Sequence, residues 1–448
     1  MSDDNRKSRR ESDGIAVPRG RFSRMAGLGA TALGIGANVL GSGLKAAATG
    51  QSPDWRGAAL SPRNAQRLTG ELARMRGAAM KVGQLLSMDA GDLLPGEFAA
   101  VLARLRADAH PMPPRQLRDV LDRAWGEGWY KRFQRFDLRP IAAASIGQVH
   151  RANFAGGPDL AIKVQFPGVR ESIDSDVDNV ASLLKLSGLL PPGFDLEELL
   201  TEAKRQLHAE ADYFVEAGAL EDFRARLADD ARFLLPAAHA EHTRRDVLVM
   251  DFLASQPLER LLDSSQAERD RVVTALFELL FRELFEFASM QSDPNLANYR
   301  YDPESGKIVL LDFGAVRDIP AELAETYRGL IIAGAKGDRA GLETAAGRIG
   351  YISARTPQSV TSALVDIMYE GCEPLRAEGG FDFGASDLAA RLRDMGLELG
   401  MADGYREIPP VDVLYLHRKF GGLYLLARRL KARVDIAGLA APYLAETV

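Results

Sequence analysis

Hydrophobic positions change period along the chain in an order that predicts an α+β protein. Apolar residues recur at helical intervals through LTGELARMRGAAMKVGQLLSM, giving a helical block from about Asn64 to Arg106. Leu94-Pro95-Gly96 interrupts it, and the proline cluster at Pro111–Pro114 starts a new helix. A strand-rich region follows from about Phe133 to Phe166. Helical spacing returns through Val169–Leu190 and Leu196–Leu227, and VLVMDFLAS at Val247–Ser255 reads as a strand leading into a connector. Beyond it the pattern is mostly helical, broken by a loop at Gln291–Asn298 and by KIVLL at Lys307–Leu311, which reads as a short buried strand. The sum is a helical extension over 51–128, a small mixed β-sheet lobe over 129–252 and a larger helical lobe over 253–448. No internal repeat is evident.

The N-terminus departs from this pattern. Residues 1–24 are polar and carry both charge signs, which predicts a disordered tail, and Asp3, Asp4 and Glu11 count against a mitochondrial presequence. Over 25–50 the chain turns small and apolar (MAGLGATALGIGANVLGSGLKAAA from Met25). The length suits a bilayer span, but Asn38, Lys45 and the scarcity of large aliphatics make insertion marginal. A segment lying on a membrane surface or against a partner is the favoured reading, with a span and a flexible linker as alternatives. Small residues from Gly27 to Gly43 permit helix pairing, hence a homodimer.

Composition removes several function classes. At 448 residues with 46% hydrophobic positions, the chain can build two or three cores and bury a site. A net charge of -6 without a long basic patch argues against nucleic acid as the main partner. The single Cys372 excludes an internal disulfide and a cysteine zinc cluster, and is read as a packing residue. The six histidines lack HExxH spacing, which argues against a zinc hydrolase.

Three fragments carry chemistry: Lys163 in LAIKVQ, then QSDPNLAN at Gln291–Asn298, then VLLDFG at Val309–Gly314. In that order they are what a protein-kinase-like bilobal fold uses to hold ATP or ADP with Mg2+. Lys163 reaches the phosphates, Asp293 orients an attacking hydroxyl or water, and Asn298 and Asp312 supply oxygen ligands to the metal. The usual HRD triplet is replaced by Gln291-Ser292-Asp293, which weakens the case for general-base chemistry on a protein hydroxyl and leaves phosphate positioning intact. A second FDFG at Phe381–Gly384 follows a glycine-rich polar stretch and reads as a loop without metal. Where kinases carry a glycine-rich phosphate loop, this chain has Ala142, Ala143, Ala144, Ser145, Ile146, Gly147 and Gln148, read as a nucleotide lid or a tight turn between strands. Met250 to Leu253 should line the adenine pocket.

AAASIGQVHRA at Ala142–Ala152, KVGQ at Lys81–Gln84, EADYFVEA at Glu210–Ala217, MQSDPNLAN at Met290–Asn298 and LHRKFGGLYLL at Leu416–Leu426 together resemble the UbiB family of atypical kinases. The resemblance runs from about Asn64 to the C-terminus and is closest to the eukaryotic and alphaproteobacterial-type branch. It implies an ATPase or atypical kinase with poor protein-kinase activity that supports ubiquinone (coenzyme Q) biosynthesis, peripheral at the cytoplasmic face of the inner membrane. Its implied partners are nucleotide, a lipid or quinone precursor and a biosynthetic complex. The KxGQ helices would cover the active site, making Lys81 and Gln84 site-facing; periodicity alone would leave Lys81 on a helix surface. Lys163 needs a carboxylate, and Glu210 and Glu216, with Asp212 between, are the candidates on the following helix. Residues six apart there lie on different faces, so Glu216 is matched with Lys163 and the Glu210/Asp212 pair with Lys81, the reverse remaining open. Two other functions stay open: a nucleotide-gated scaffold or lipid-extraction factor with little turnover, and a small-molecule or isoprenoid kinase.

Overall fold

The computed structural model describes residues 77–79, 81–82, 111–187, 197–293, 295–401 and 409–444. The tail over 1–24, the small-residue segment over 25–50, Gln84 and Leu94-Pro95-Gly96 lie outside the described residues. No described helix is long and apolar enough to cross a membrane. The described residues fall into two compact units, one holding those up to Glu221 with Ala237–Phe252, the other Asp222–Pro236 with those from Leu253 onward.

In the first unit, Pro114 occupies the first position of α1 (Pro114–Trp125), where a missing N–H leaves no helical bond unmade. Leu117, Val120 and Leu121 form its buried stripe. The helix packs on an antiparallel sheet ordered β1 (Phe133–Phe136), β3 (Gly147–Phe154), β4 (Asp159–Gln165) and β6 (Val247–Asp251), with β2 (Ala142–Ala143) paired to β3. Successive β4 side chains point to opposite faces. Leu160, Ile162 and Val164 join Trp125, Trp129 and Val249 in the core against α1, each such aliphatic side chain contributing about 2 kcal/mol, so Lys163 is directed to the opposite face. After α2 (Val169–Ser187) the helical pattern expected as one element over 196–227 is two: α3 (Glu197–Glu210) and α4 (Tyr213–Arg226).

In the second unit, β5 (Phe233–Leu234), β7 (Gln256–Pro257), β9 (Tyr299–Asp302) and β10 (Lys307–Leu310) form a sheet in the order β5-β10-β9-β7, while β8 (Ser289–Gln291) pairs antiparallel with β11 (Val316–Asp318). Seven α-helices are described in this unit: α5 (Gln266–Phe285), α6 (Ala321–Lys336), α7 (Arg339–Arg348), α8 (Gln358–Gly371), α9 (Leu388–Met401), α10 (Val411–Arg429) and α11 (Ile436–Leu444). Ser265 caps α5, its Oγ accepting from Glu268 N at 3.2 Å. The second FDFG, expected as a loop, contributes a two-residue strand β12 (Phe381–Asp382) paired with β13 (Arg433–Val434). It then turns, with Asp382 Oδ1 accepting from Gly384 N at 2.9 Å. Cys372 is buried among Ala333, Leu342 and Val365, a packing role, and burial pushes its thiol up to about 11.

His417 on α10 has Nδ1 2.8 Å from the Tyr351 hydroxyl and its ring stacked on that of Tyr351. Burial lowers its pKa from 6.5 to about 4. Because the folded value lies below the unfolded one, the stability this neutral ring contributes is complete above pH 6.5 and is lost as pH falls toward 4. The loss is up to about 3 kcal/mol, an upper bound because the ring keeps some solvent access. Comparing chemical unfolding at pH 7 and pH 4.5, His417→Gln should lose less stability on acidification than wild type; equal losses would contradict the assignment.

Candidate active site

Lys163 on β4 donates from Nζ to Glu216 Oε1 at 2.8 Å and Oε2 at 2.9 Å. The two side chains are 10% and 3% exposed. The Tyr213 ring lies 5.3 Å from the same ammonium, a favourable cation–π distance. Burying two charges costs several kcal/mol per ion that mutual attraction only partly offsets, so such a pair is better explained by holding one group in place than by stability. Glu216 reaches β4 because it sits in the first turn of α4, whose start is set by Asp212: its Oδ1 accepts from Phe214 N at 3.2 Å.

Lys81 is buried, not on a helix surface, and pairs with Glu210 at the end of α3. Glu210 also accepts from Ser145 Oγ at 3.1 Å, so one carboxylate ties the KxGQ lysine to the alanine turn. Asp212, expected beside Glu210 at Lys81, turns instead to Arg245, with Oδ2 3.2 Å from Nε. The reason is local: Ala211 and Asp212 lie between two helices, and the cap requirement of α4 aims the Asp212 side chain elsewhere.

The alanine run is a short strand followed by a tight turn. Ala142 and Ala143 pair with Val149 and Gln148, and Ala144 N donates to Gly147 O at 2.9 Å. Ala142 and Ala143 are exposed, and Ala144 and Ser145 partly so. Gln148 does not face outward with them: it is buried, its Oε1 accepts from Met112 N at 2.8 Å and its Nε2 meets His150 Nε2 at 2.8 Å. Both ends of that amide are spent inside the unit, which corrects its assignment as a nucleotide contact. Gly147 cannot carry a side chain, because a Cβ there would lie 2.4 Å from the Val164 carbonyl oxygen on the neighbouring strand. Gly147→Ala should therefore destabilise the first unit by about 1–3 kcal/mol, read by chemical unfolding; an unchanged midpoint would show that the strand pair can open without cost. Met250 is buried on β6, and Leu253 is half-buried.

In the second unit the β8–β11 pairing brings the QSDPNLAN and DFG segments side by side. Ser292 N donates to Ala315 O at 2.8 Å, and Leu311 N to Asn298 O at 3.2 Å. Asn298 Nδ2 donates to Asp293 Oδ2 at 3.2 Å and to Asp293 O at 3.3 Å, which orients the amide with its oxygen as the remaining donor of electrons. Asp312 Oδ1 accepts from Gly314 N at 3.0 Å, and Phe313 is buried against Phe223. Asn298 and Asp312 both border one small, largely apolar cavity, with Phe223, Leu279, Phe313 and Lys419 among its other walls. One carboxylate and one amide oxygen, hard donors both, suit a magnesium ion that takes its remaining ligands from phosphate and water.

Two residues beneath this loop went unread in the sequence. Lys419 on α10 and Glu283 on α5 are fully buried, with Nζ 3.0 Å from Glu283 Oε2 and 2.9 Å from the Gln291 carbonyl oxygen. Burial is the largest influence on the Lys419 ammonium and opposes it, but Glu283 and Tyr299 together outweigh burial and raise the pKa; burial pushes the Glu283 carboxyl up as well. With Nζ within reach of both carboxylate oxygens, we treat the two as an ammonium–carboxylate pair. The available signal was a charged residue inside an apolar helical stripe, FELLFRELF for Glu283 and LHRKFGG for Lys419.

A profile of the ABC1 atypical kinase-like domain matches residues 104–346. The chain is 38% identical over 427 residues to the Saccharomyces cerevisiae protein named atypical kinase COQ8, mitochondrial, covering 95% of this chain and 85% of that one. It is 37% identical to atypical kinase COQ8B, mitochondrial, of Rattus norvegicus, covering 93% and 79%. Among solved structures, Rv3197 of Mycobacterium tuberculosis in complex with erythromycin superposes with a TM-score of 0.59 at 26% identity, covering 87% of this chain and 97% of that one. The fold is thus α+β and kinase-like, and the chain is an enzyme of the kinase or ATPase type that binds nucleotide. With its kinase-like domain matched and its relatives similar over nearly the whole length, the chain belongs to the ABC1 (UbiB) family of atypical kinases, on the eukaryotic-type branch.

Proposed function

We propose that this chain is a magnesium-dependent ATPase or atypical kinase that supports ubiquinone biosynthesis at a membrane. The observation that carries the reading is the backbone bond from Leu311 to Asn298, which brings the residue before Asp312 against the loop that carries Asn298. Asn298 and Asp312 would hold the metal, whose chemistry is to neutralise charge on the phosphate oxygens. Lys163, kept extended by Glu216, contributes an ammonium to the phosphates, and Asp293 accepts a hydrogen bond from the attacking water or hydroxyl. The turn from Ala142 to Ser145 packs its small residues over the phosphates, and Met250 and Leu253 flank the base. Lys81 and Glu210, joined to Ser145, act as a cover, with Gln84 beside Lys81 in the same motif. The quinone assignment, the membrane surface as working site and the cytoplasmic, peripheral location rest on the family; homodimerisation through Gly27–Gly43 rests on residue type alone.

The test is ATP binding and hydrolysis by the purified chain, with magnesium and with a chelator, in the presence and absence of lipid. Magnesium-dependent turnover supports the enzyme. ATP binding without turnover under any of these conditions overturns it in favour of a nucleotide-gated scaffold, and phosphate appearing on an isoprenoid or other small molecule assigns a kinase acceptor.

A further inference from the structure

We propose that Lys419 is a positioning residue that holds the Asp293–Asn298 loop in its working geometry from below; this rests on the reading of that loop as the catalytic one. The Lys419 side chain is 2% exposed and the Glu283 side chain 1%, on helices 136 residues apart in the chain. Nζ donates to the Gln291 carbonyl oxygen at 2.9 Å and lies 3.4 Å from Gln291 Oε1. Glu283 Oε1 takes the other side of the same residue, accepting from Gln291 N at 3.2 Å. Gln291 is thereby held at its N–H, its carbonyl and its side chain. Its Nε2 passes the constraint on, donating at 2.9 Å to the Asp293 carbonyl, the same oxygen that Asn298 Nδ2 reaches at 3.3 Å. Tyr299, next to Asn298, closes the network with its hydroxyl 3.3 Å from Gln291 Oε1 and its ring 5.5 Å from the ammonium.

A merely structural pair would need only mutual neutralisation. Here the ammonium is shared between Glu283 and a backbone carbonyl two residues before Asp293, so removing it loosens the loop even when the charges still balance. The chain lacks the HRD triplet, and an ammonium delivered from α10 anchors the segment in its place. Arg418 adjoins it on the same helix, with Nη2 3.7 Å from Asp293 Oδ1.

The experiment compares wild type, Lys419→Met and the double variant K419M/E283Q in the full-length chain. The single variant strands the Glu283 charge and is at risk of not folding; the double variant removes both charges and is the decisive one. For K419M/E283Q the expected result is a thermal midpoint close to wild type, a kcat for magnesium-dependent ATP hydrolysis lower by about 100-fold with little change in KM, and faster amide exchange confined to residues 290–298. A double variant with wild-type kcat, or with unchanged exchange at 290–298, overturns the positioning role and leaves Lys419 a charge partner of Glu283. Absence of magnesium-dependent hydrolysis in wild type sinks the catalytic reading instead, and the exchange measurement then still decides whether Lys419 holds the loop.

Discussion

Asp312→Asn is expected to lower magnesium-dependent ATP hydrolysis by about 1,000-fold while leaving the fold intact. The size of the loss follows from placing a neutral amide where, on the proposed function, a full negative charge would face a divalent cation, and losing one electrostatic group of that kind costs about 10²–10³-fold in kcat. Survival of the fold follows from the recorded geometry. The Asp312 contact to Gly314 N at 3.0 Å needs only an oxygen acceptor, which an asparagine retains, and Phe313 keeps its packing against Phe223. The measurement is steady-state hydrolysis beside a thermal unfolding curve. Unimpaired hydrolysis would remove Asp312 from the site; lost hydrolysis with a matching loss of stability would make the effect one of folding.

Glu216→Ala is expected to destabilise the first unit by about 3–5 kcal/mol, the cost of leaving one member of a buried ion pair without its counter-charge. Lys163 and Glu216 are 10% and 3% exposed, so water compensates little. A double variant, Lys163→Met with Glu216→Leu, should recover most of that stability, since apolar side chains of similar volume replace buried pairs at little or no loss. On the proposed role of Lys163 it should not recover hydrolysis, since that role requires the ammonium at the phosphates. Trp125 and Trp129 lie in the core of this unit, so tryptophan fluorescence during guanidinium unfolding follows the relevant transition. A Glu216→Ala midpoint equal to wild type would mean that Lys163 is solvated well enough to stand without that carboxylate.

The local pattern was legible wherever one periodicity held for long enough. The strand around LAIKVQ, the proline start of α1, the strand at Val247 and the helices after Val169 follow from spacing and turn chemistry, because those signals act between residues only a few positions apart. The break at Ala211-Asp212 was not visible: Tyr213 to Arg226 continues an apolar rhythm, and only the cap made by Asp212 splits it from α3. Gln148 illustrates a different failure. Its place in an exposed-looking turn pointed outward, yet β3 alternates in and out and position 148 falls on the buried side, where Met112 and His150 take its amide.

Order along the chain was enough to establish the class of chemistry: a lysine in a strand, an aspartate and asparagine five apart in a loop and an aspartate before Phe-Gly are chemical identities, and identities do not depend on folding. Which charge meets which was decided in three dimensions. Lys81 finds Glu210 across 129 residues, and Lys419 finds Glu283 across 136, separations at which no sequence periodicity carries information. Burial then sets what those meetings mean, since the same ammonium that would be a solvated surface charge on an isolated helix becomes, without water around it, a fixed donor to the carboxylate or carbonyl that the fold brings to it.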